Sequence, residues 1–246
     1  MSVQCPSVLI TGAAGGIGVA LMAAFESAGW SVVSTDRNFI DRASHVTGDI
    51  GLCADPSHPE SVRIIAELVD ATGGHLKALI HNAAHQVVKS AESLTPADWQ
   101  ETLAVNLIAP FWLSMAFRDE LEKNHGSVLA ISSIHEKLTK PGFVAYATSK
   151  AALSGMVRAM AVDLGGRIRC NAICPAAIST PMLRAGFAGK QEEYRQLEAY
   201  HPVGRIGTPE EVAATALFMC SDDAVFMNGS CVDLSGGISA RLHDPA

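Results

Sequence analysis

The stretch LITGAAGGIGVALMAAF, residues 9–25, passes from a short apolar run into an apolar helical pattern through a loop that holds Gly12, Gly15, Gly16 and Gly18. Glycines in that position permit a tight turn and let backbone amides and a helix N-terminus approach a pyrophosphate closely. A glycine-rich loop means little alone, but the context it requires, strand before and helix after, is present. The next β-branched run ends at Asp36, 24 residues after Gly12. A carboxylate there can accept both hydroxyls of an adenosine ribose and would repel a 2'-phosphate. Gly15 places no basic side chain in the loop, so NAD is favoured over NADP, with the neighbouring Arg37 pulling the other way.

Outward from this loop, apolar runs alternate with helical patterns. Strands are expected at 7–12, 30–36, 76–83, 126–133, 167–175 and 229–237, with a short one in the region 45–55. Helices are expected at 17–28, 59–72, 96–123, 143–165 and 208–220. Thr208-Pro209-Glu210-Glu211 reads as a helix start, with a capping threonine, proline at the first helical position and glutamate where a capping box needs it; Thr95 to Asp98 repeats the logic. The alternation implies an α/β fold: one doubly wound, Rossmann-type parallel β-sheet of about seven strands, flanked by helices on both faces. Neither a repeat nor a linker divides the chain, so residues 1–246 read as a single domain. The charge-rich, irregular segment from Ile178 to about Gly207 is expected to be a substrate lid.

Bulk properties narrow the function. Of 246 residues, 48% are hydrophobic, enough for one large core. The 18 basic and 25 acidic residues give a net charge of −7 with no basic run, which argues against nucleic acid or a membrane as partner. No apolar stretch is long enough to span a bilayer, and the N-terminus lacks the basic region of a signal peptide, so a cytoplasmic location is expected. Six cysteines without a CxxC pair fit a reducing compartment. Cys170 and Cys174 read as core residues of a strand, the nine histidines form no zinc signature, and no metal is expected.

In PGFVAYATSKAAL, residues 141–153, Tyr146 and Lys150 lie four apart and would share one helix face. A free phenol titrates near pH ~10, and a neighbouring cation favours its phenolate, which makes an acid/base pair usable near neutral pH.

The order of these motifs resembles the classical short-chain dehydrogenase/reductase family over nearly the whole chain: TGxxxGxG as Thr11 to Gly18, HNAA at 81–84, Asn106, Ser133, Tyr146 and Lys150. The interval of 13 residues from Ser133 to Tyr146 follows the family's pattern, and HPVGRIGTPEEVA and GSCVDLSGG look like its closing helix and last strand. The resemblance implies an oxidoreductase that interconverts a secondary alcohol and a ketone. Tyr146 would be the general acid/base, Lys150 would lower its pKa and bind the nicotinamide ribose, Ser133 would hydrogen-bond the reacting oxygen with Ser132 as the alternative, and Asn106 would hold a water that links Lys150 to solvent. Pro110, which has no N–H for the Asn106 carbonyl, offers a physical reason for that water.

By the same resemblance Gly12, Gly15, Gly16, Ile17, Gly18, Asp36, Arg37, Asn82, Ala83, Pro175, Ile178 and Thr180 line the cofactor together with Tyr146 and Lys150. Asp55 and Pro56 would lie near adenine, with Asp49 as a competitor. Pro175-Ala176 replaces the family's PG, and His81 and Ala84 replace the outer asparagine and glycine of its NNAG, so added side chains narrow places where backbone and ligand pass closely. Substrate would meet Ser133, His135, His85 and Tyr146, with Glu136, Ala177 and Met182 nearby. Two histidines and a glutamate suggest a polar small molecule such as a polyol, sugar or hydroxy acid. A 3-oxoacyl thioester reductase and an NAD-sensing regulator without turnover are the alternative functions. The resemblance further implies a homotetramer assembled through the helices containing Asn106 and Tyr146, with Leu107, Phe111 and Leu153 as apolar contacts or core.

Overall fold

The computed structural model describes residues 5–55, 59–71, 73 and 75–242. Seven strands are present: β1 Ser7–Thr11, β2 Ser31–Asp36, β3 His45–Thr47, β4 Leu76–His81, β5 Ser127–Ile131, β6 Arg169–Pro175 and β7 Cys231–Leu234. They form one parallel sheet in the order β3-β2-β1-β4-β5-β6-β7. Each inner strand is buried on both faces, which is why these runs are near-continuously apolar rather than alternating. Because the winding goes one way from β1 to β2 and the other way to β4, a crevice opens at the carboxyl ends of β1 and β4.

The helices are α1 Gly16–Ser27, α2 Pro59–Ala71, α3 Pro96–Leu103, α4 Ala109–Ala116, α5 Arg118–Lys123, α6 Val144–Leu164, α7 Pro181–Gly186, α8 Gln191–Tyr200 and α9 Pro209–Cys220. Alternate strand residues feed two cores. Val8, Ile10, Ile80 and Leu129 pack against α1 and α9 through Leu21, Phe25, Val212 and Ala216. On the other face Leu9, Leu79, Val128 and Ala172 meet α2, α4, α5 and α6 through Ile65, Leu113, Leu121, Leu153 and Val157. Leu153 thus belongs to the core, while Leu107 and Phe111 are half-buried. Both expected capping boxes are present, at Thr95 with Asp98 and at Thr208 with Glu211.

Two expectations need correction. The helix expected over 96–123 is broken into α3, α4 and α5, with a π-helical turn at Ala104–Ile108 in which the Ala109 N–H reaches back to the Ala104 carbonyl. Pro110, with no N–H of its own, accounts for the break in the i to i+4 ladder at this point. The segment from Ile178 to Gly207 is not irregular. It holds α7 and α8, and its two ends are joined by a bridge in which the Ser179 N–H donates to the Gly207 carbonyl (2.8 Å) and the Gly207 N–H to the Ala177 carbonyl (2.9 Å). The charges that made it look irregular are the solvent side of α8, which has no buried residue. No helix of the described residues is long and apolar enough to cross a membrane.

Candidate active site

The glycine loop is shaped by contacts at which a side chain would collide. Gly12 has φ +66°, and a Cβ there would lie 2.6 Å from the Ala83 Cα; at Gly18 it would lie 2.3 Å from the Gly12 carbonyl oxygen. Both neighbours are backbone, so neither can move aside. Gly15 differs, since its Cβ would meet only the Gly12 oxygen, at 3.4 Å. The loop is stapled to the end of β4: the Asn82 amide group donates to the Thr11 and Gly12 carbonyls (3.1 and 2.8 Å), and the Thr11 hydroxyl oxygen accepts from the Asn82 and Ala83 N–H groups (3.1 Å each). Ile17 follows in the first turn of α1.

Asp36 closes β2 beside this loop. One oxygen accepts from the Ala14 N–H (3.0 Å), and the other from the Asn38 N–H (2.8 Å). It is therefore both a turn residue and a carboxylate held against the phosphate loop, with lone pairs left for a ribose. Arg37 is exposed. Asp49 lies two residues beyond β3, where it caps a 3-10 turn by accepting from the Gly51 N–H (2.8 Å); Asp55 lies at the far end of that turn. Pro56 lies outside the described residues. Pro175 ends β6, Ile178 is buried, and Thr180 caps α7 by accepting from the Leu183 N–H (3.2 Å). A Cβ on Gly16 would lie 2.9 Å from Pro181 and 3.1 Å from Thr180, so the start of α7 rests on the glycine loop. A loop of bare backbone that opens a helix N-terminus fits a dinucleotide pyrophosphate.

Ser133, Tyr146 and Lys150 converge beyond the end of β5. The Ser133 side chain stands close enough to the Tyr146 phenol to oppose the rise of its pKa. Lys150, 2% exposed, donates from Nζ to the Ile131 carbonyl (2.8 Å) and stands 5.6 Å from the centre of the Tyr146 ring. Ser132 is occupied elsewhere: its hydroxyl donates to the Lys150 carbonyl (3.2 Å) and pairs with Ser154 (2.9 Å), tying β5 to α6. Ser133 is the serine beside the phenol, whereas Ser132 faces α6.

Burial governs the proton affinities. It pushes the Tyr146 phenol up to about 12, opposed by the Ser133 side chain, and pulls the Lys150 ammonium down to about 8, opposed by Cys174. The phenol is thus held protonated at neutral pH, contrary to the lowering that a tyrosine–lysine pair suggests. The desolvation of both groups outweighs the pull of an ammonium already engaged with a carbonyl.

Asn106 is fully buried and its side chain is fully used. Its oxygen accepts from the His85 N–H (2.7 Å), and its amide donates to the His85 carbonyl and to Ser149 Oγ (2.9 Å each). The π-turn turns this amide onto the loop after β4. Ser149 passes the link to the Tyr146 carbonyl (2.7 Å). Sequence reading overlooked Ser149, whose signal was its place immediately before Lys150 in YATSK.

Of the expected substrate residues, His135 lies beside Tyr146. It stacks on Phe143 (4.6 Å between centroids, 11°) and meets the Tyr146 ring edge-on (5.6 Å, 79°). Its Nδ1 lies 3.0 Å from Thr139 Oγ1, and burial followed by the nearby Lys140 lowers its pKa, so it is neutral. His85 instead turns toward Glu101 of α3, at 3.4 Å. Glu136 points inward, its side chain 3% exposed, while Met182 is exposed on α7. His81, at the family's asparagine position, is buried and lies 2.8 Å from Ser114 Oγ, which spends its own proton on the Pro110 carbonyl (2.7 Å).

A family model described as enoyl-(acyl carrier protein) reductase matches residues 12–239. The chain is 34% identical over 239 residues to 7alpha-hydroxysteroid dehydrogenase of Escherichia coli K12, covering 93% of this chain and 92% of that one. It is 31% identical over 242 residues to D-threitol dehydrogenase of Mycolicibacterium smegmatis, with 95% and 92% covered. Among solved structures, ligand-free aldohexose dehydrogenase of Thermoplasma acidophilum superposes with a TM-score of 0.91 at 28% identity, covering 99% and 97% of the two chains. Two further ones carry a cofactor: a gluconate 5-dehydrogenase of Beutenbergia cavernae with bound NADP (TM-score 0.84, 30% identity, 98% and 99% covered) and a 3-ketoacyl-(acyl-carrier-protein) reductase of Brucella melitensis with NADH (TM-score 0.84, 25% identity, 97% and 100% covered). With the glycine loop, the Ser133–Tyr146–Lys150 cluster and this breadth of match, the chain belongs to the short-chain dehydrogenase/reductase family of NAD(P)-linked oxidoreductases acting on CH–OH donors.

Proposed function

We propose that this protein interconverts a polar secondary alcohol and its ketone, with Tyr146 moving the proton. The observation that carries the reading is the convergence of Ser133, Tyr146 and the buried Lys150, whose Nζ stands 5.6 Å from the centre of the Tyr146 ring, beyond the end of β5. Bound NAD(P) would accept or supply the hydride. In the reductive direction the protonated Tyr146 gives its proton to the substrate oxygen while the Ser133 hydroxyl donates to the same atom and stabilises its developing charge. In the oxidative direction Tyr146 takes the proton back. Lys150 holds the nicotinamide ribose, Asn106 fixes the strand-end loop on which the cofactor lies, and the backbone from Gly12 to Gly18, with Ile17, cradles the pyrophosphate.

NAD is the preferred cofactor in this reading. Asp36 would face a 2'-phosphate, Gly15 adds no cation, and Asp49, nearer to the strand end than Asp55, would meet the adenine. Juxtaposed like charges cost several kcal/mol, so calorimetry should find NAD at least roughly tenfold tighter than NADP. Equal affinities would refute this assignment.

The substrate class rests on His135, a neutral imidazole against Tyr146 that can hydrogen-bond a second hydroxyl. Reduced nicotinamide absorbance should be followed with polyols, sugars, hydroxy acids, hydroxysteroids and 3-oxoacyl thioesters, using wild type beside Tyr146→Phe. Turnover of a polar alcohol, lost in the variant with NAD binding kept, is the expected result. Turnover only of steroids or thioesters would overturn the polar assignment, and none at all would favour an NAD sensor.

Residues 1–246 are taken as one domain in the cytoplasm, which six free thiols suit. A homotetramer needs two distinct isologous faces. Exposed Ile108, Trp112 and Val162 on the α4 and α6 side, and Phe218, Val225 and Phe226 near α9, provide two candidates. Sedimentation as a monomer at working concentration would count against it.

A further inference from the structure

Three potential ligands from three separate parts of the chain come together near the turn that follows Ser133. One oxygen of Glu136, the thiol of Cys174 and one oxygen of Asp233 all lie within 4.8 Å of one another. Cys174 and Asp233 are register partners on β6 and β7, and Glu136 ends the 3-10 turn that begins just after Ser133. Cys231, two residues before Asp233 and so on the same face of β7, lies near the Cys174 thiol and donates to the Ser154 carbonyl (3.8 Å).

Three features set this cluster apart from incidental acidic neighbours. The Glu136 side chain is 3% exposed, and its Oε1, which makes no hydrogen bond of good geometry, is met by the Lys137 ammonium at 3.2 Å. The cluster already gathers positive charge at its mouth: Lys137 Nζ lies 3.2 Å from Glu136 and 3.6 Å from Asp233. At its inner side Arg158 donates to Cys231 Sγ (3.3 Å), which offsets part of the charge of four anionic ligands. Lys137 and Asp233 are partly exposed, which leaves a path from solvent.

We propose that Glu136, Cys174, Cys231 and Asp233 form a binding site for a zinc-like divalent ion, independent of the reaction described above. Two thiolates and two carboxylates suit a borderline-soft metal in tetrahedral coordination and do not suit magnesium or calcium, which take oxygen ligands. Zinc–sulfur bonds of about 2.3 Å and zinc–oxygen bonds of about 2.0 Å bring ligand atoms within roughly 3.5 Å of one another, so the side chains must close in by rotamer adjustment around the ion. Binding releases the two thiol protons to solvent and displaces the Lys137 ammonium from the carboxylates. The ion would brace the 3-10 turn that follows Ser133 and carries His135 against β6 and β7. The spacing of residues 136, 174, 231 and 233 matches no sequence signature, because the sheet alone brings them together.

Cobalt(II) titration of chelator-treated protein, in a Cys5→Ser background that removes the exposed thiol, tests the site without reference to activity. One equivalent should bind with thiolate-to-cobalt charge-transfer absorption and tetrahedral d–d bands, and zinc should displace it. Asp233→Asn, at a partly exposed position that keeps the fold by circular dichroism, should weaken binding at least tenfold, and Cys174→Ser should abolish the charge-transfer band. Lys137→Ala, which removes the competing ammonium, should tighten binding. Absence of sulfur-to-cobalt absorption in the parent protein, or unchanged affinity in Asp233→Asn, would overturn the proposal.

Discussion

Protonation of His81 should make the protein lose stability between pH 7 and 5 by an amount that the structure fixes. The imidazole is 3% exposed on β4, and burial pulls its pKa from 6.5 to about 3. Because Ser114 gives its proton to the Pro110 carbonyl, His81 must donate through Nε2, and any further proton would place a charge in the core. The sign follows from linkage. The unfolded chain binds a proton at 6.5 and the folded chain does not until about 3, so the contribution is complete above 6.5 and is lost as pH falls toward 3. Over this window one proton separates the states, a slope of about 1.4 kcal/mol per pH unit. Integrated from pH 7 to 5 this comes to about 2 kcal/mol, or a fall in Tm of about 4–8 °C for a chain of this size. Urea unfolding at each pH, at one protein concentration, would measure it in wild type and in His81→Asn, which keeps a donor toward Ser114 and cannot titrate. The wild type should lose about 2 kcal/mol more than the variant over the window. Parallel pH profiles would show that the folded protein protonates His81 as easily as the unfolded chain does, and the reasoning would fail.

Three further outcomes follow from the same geometry. Ser133→Ala should lower kcat about 10²–10³-fold with cofactor affinity unchanged, whereas Ser132→Ala, which unties β5 from α6, should lower Tm and leave kcat nearly intact; steady-state kinetics beside calorimetry would separate the two. Gly18→Ala should lose dinucleotide binding, since its Cβ meets the Gly12 oxygen at 2.3 Å, while Gly15→Lys should fold and gain affinity for NADP, because the 3.4 Å contact there is ordinary. Alcohol oxidation should accelerate as pH rises through the alkaline range, because Tyr146, held up at about 12, must lose its proton to act as base; a rate independent of pH from 7 to 10 would exclude that role.

Much of this was legible in the chain before any coordinates. Sheet and helix periodicities are local, so all seven strands and both capping boxes could be read, as could the shared face of Tyr146 and Lys150 one helical turn apart. Glycines 12 and 18 were legible because a backbone that must approach another backbone tolerates no Cβ. The segment 178–207 was misread as irregular, since α8 has no fully buried residue and so gives only a weak apolar signal. The long helix over 96–123 was misread because an unbroken apolar pattern hides a π-turn that only the backbone reveals.

What the tertiary structure alone decided is partnership and desolvation. The tie of Ser132 to Ser154, the clamp of Asn106 on His85 and Ser149, and the meeting of Glu136 with Cys174 and Asp233 all join residues far apart in the chain. The direction in which Tyr146 and His81 are shifted has the same origin. Residue type sets a pKa in water, but the charge a group can bear depends on how much water the fold has removed around it and on which partners replace that water.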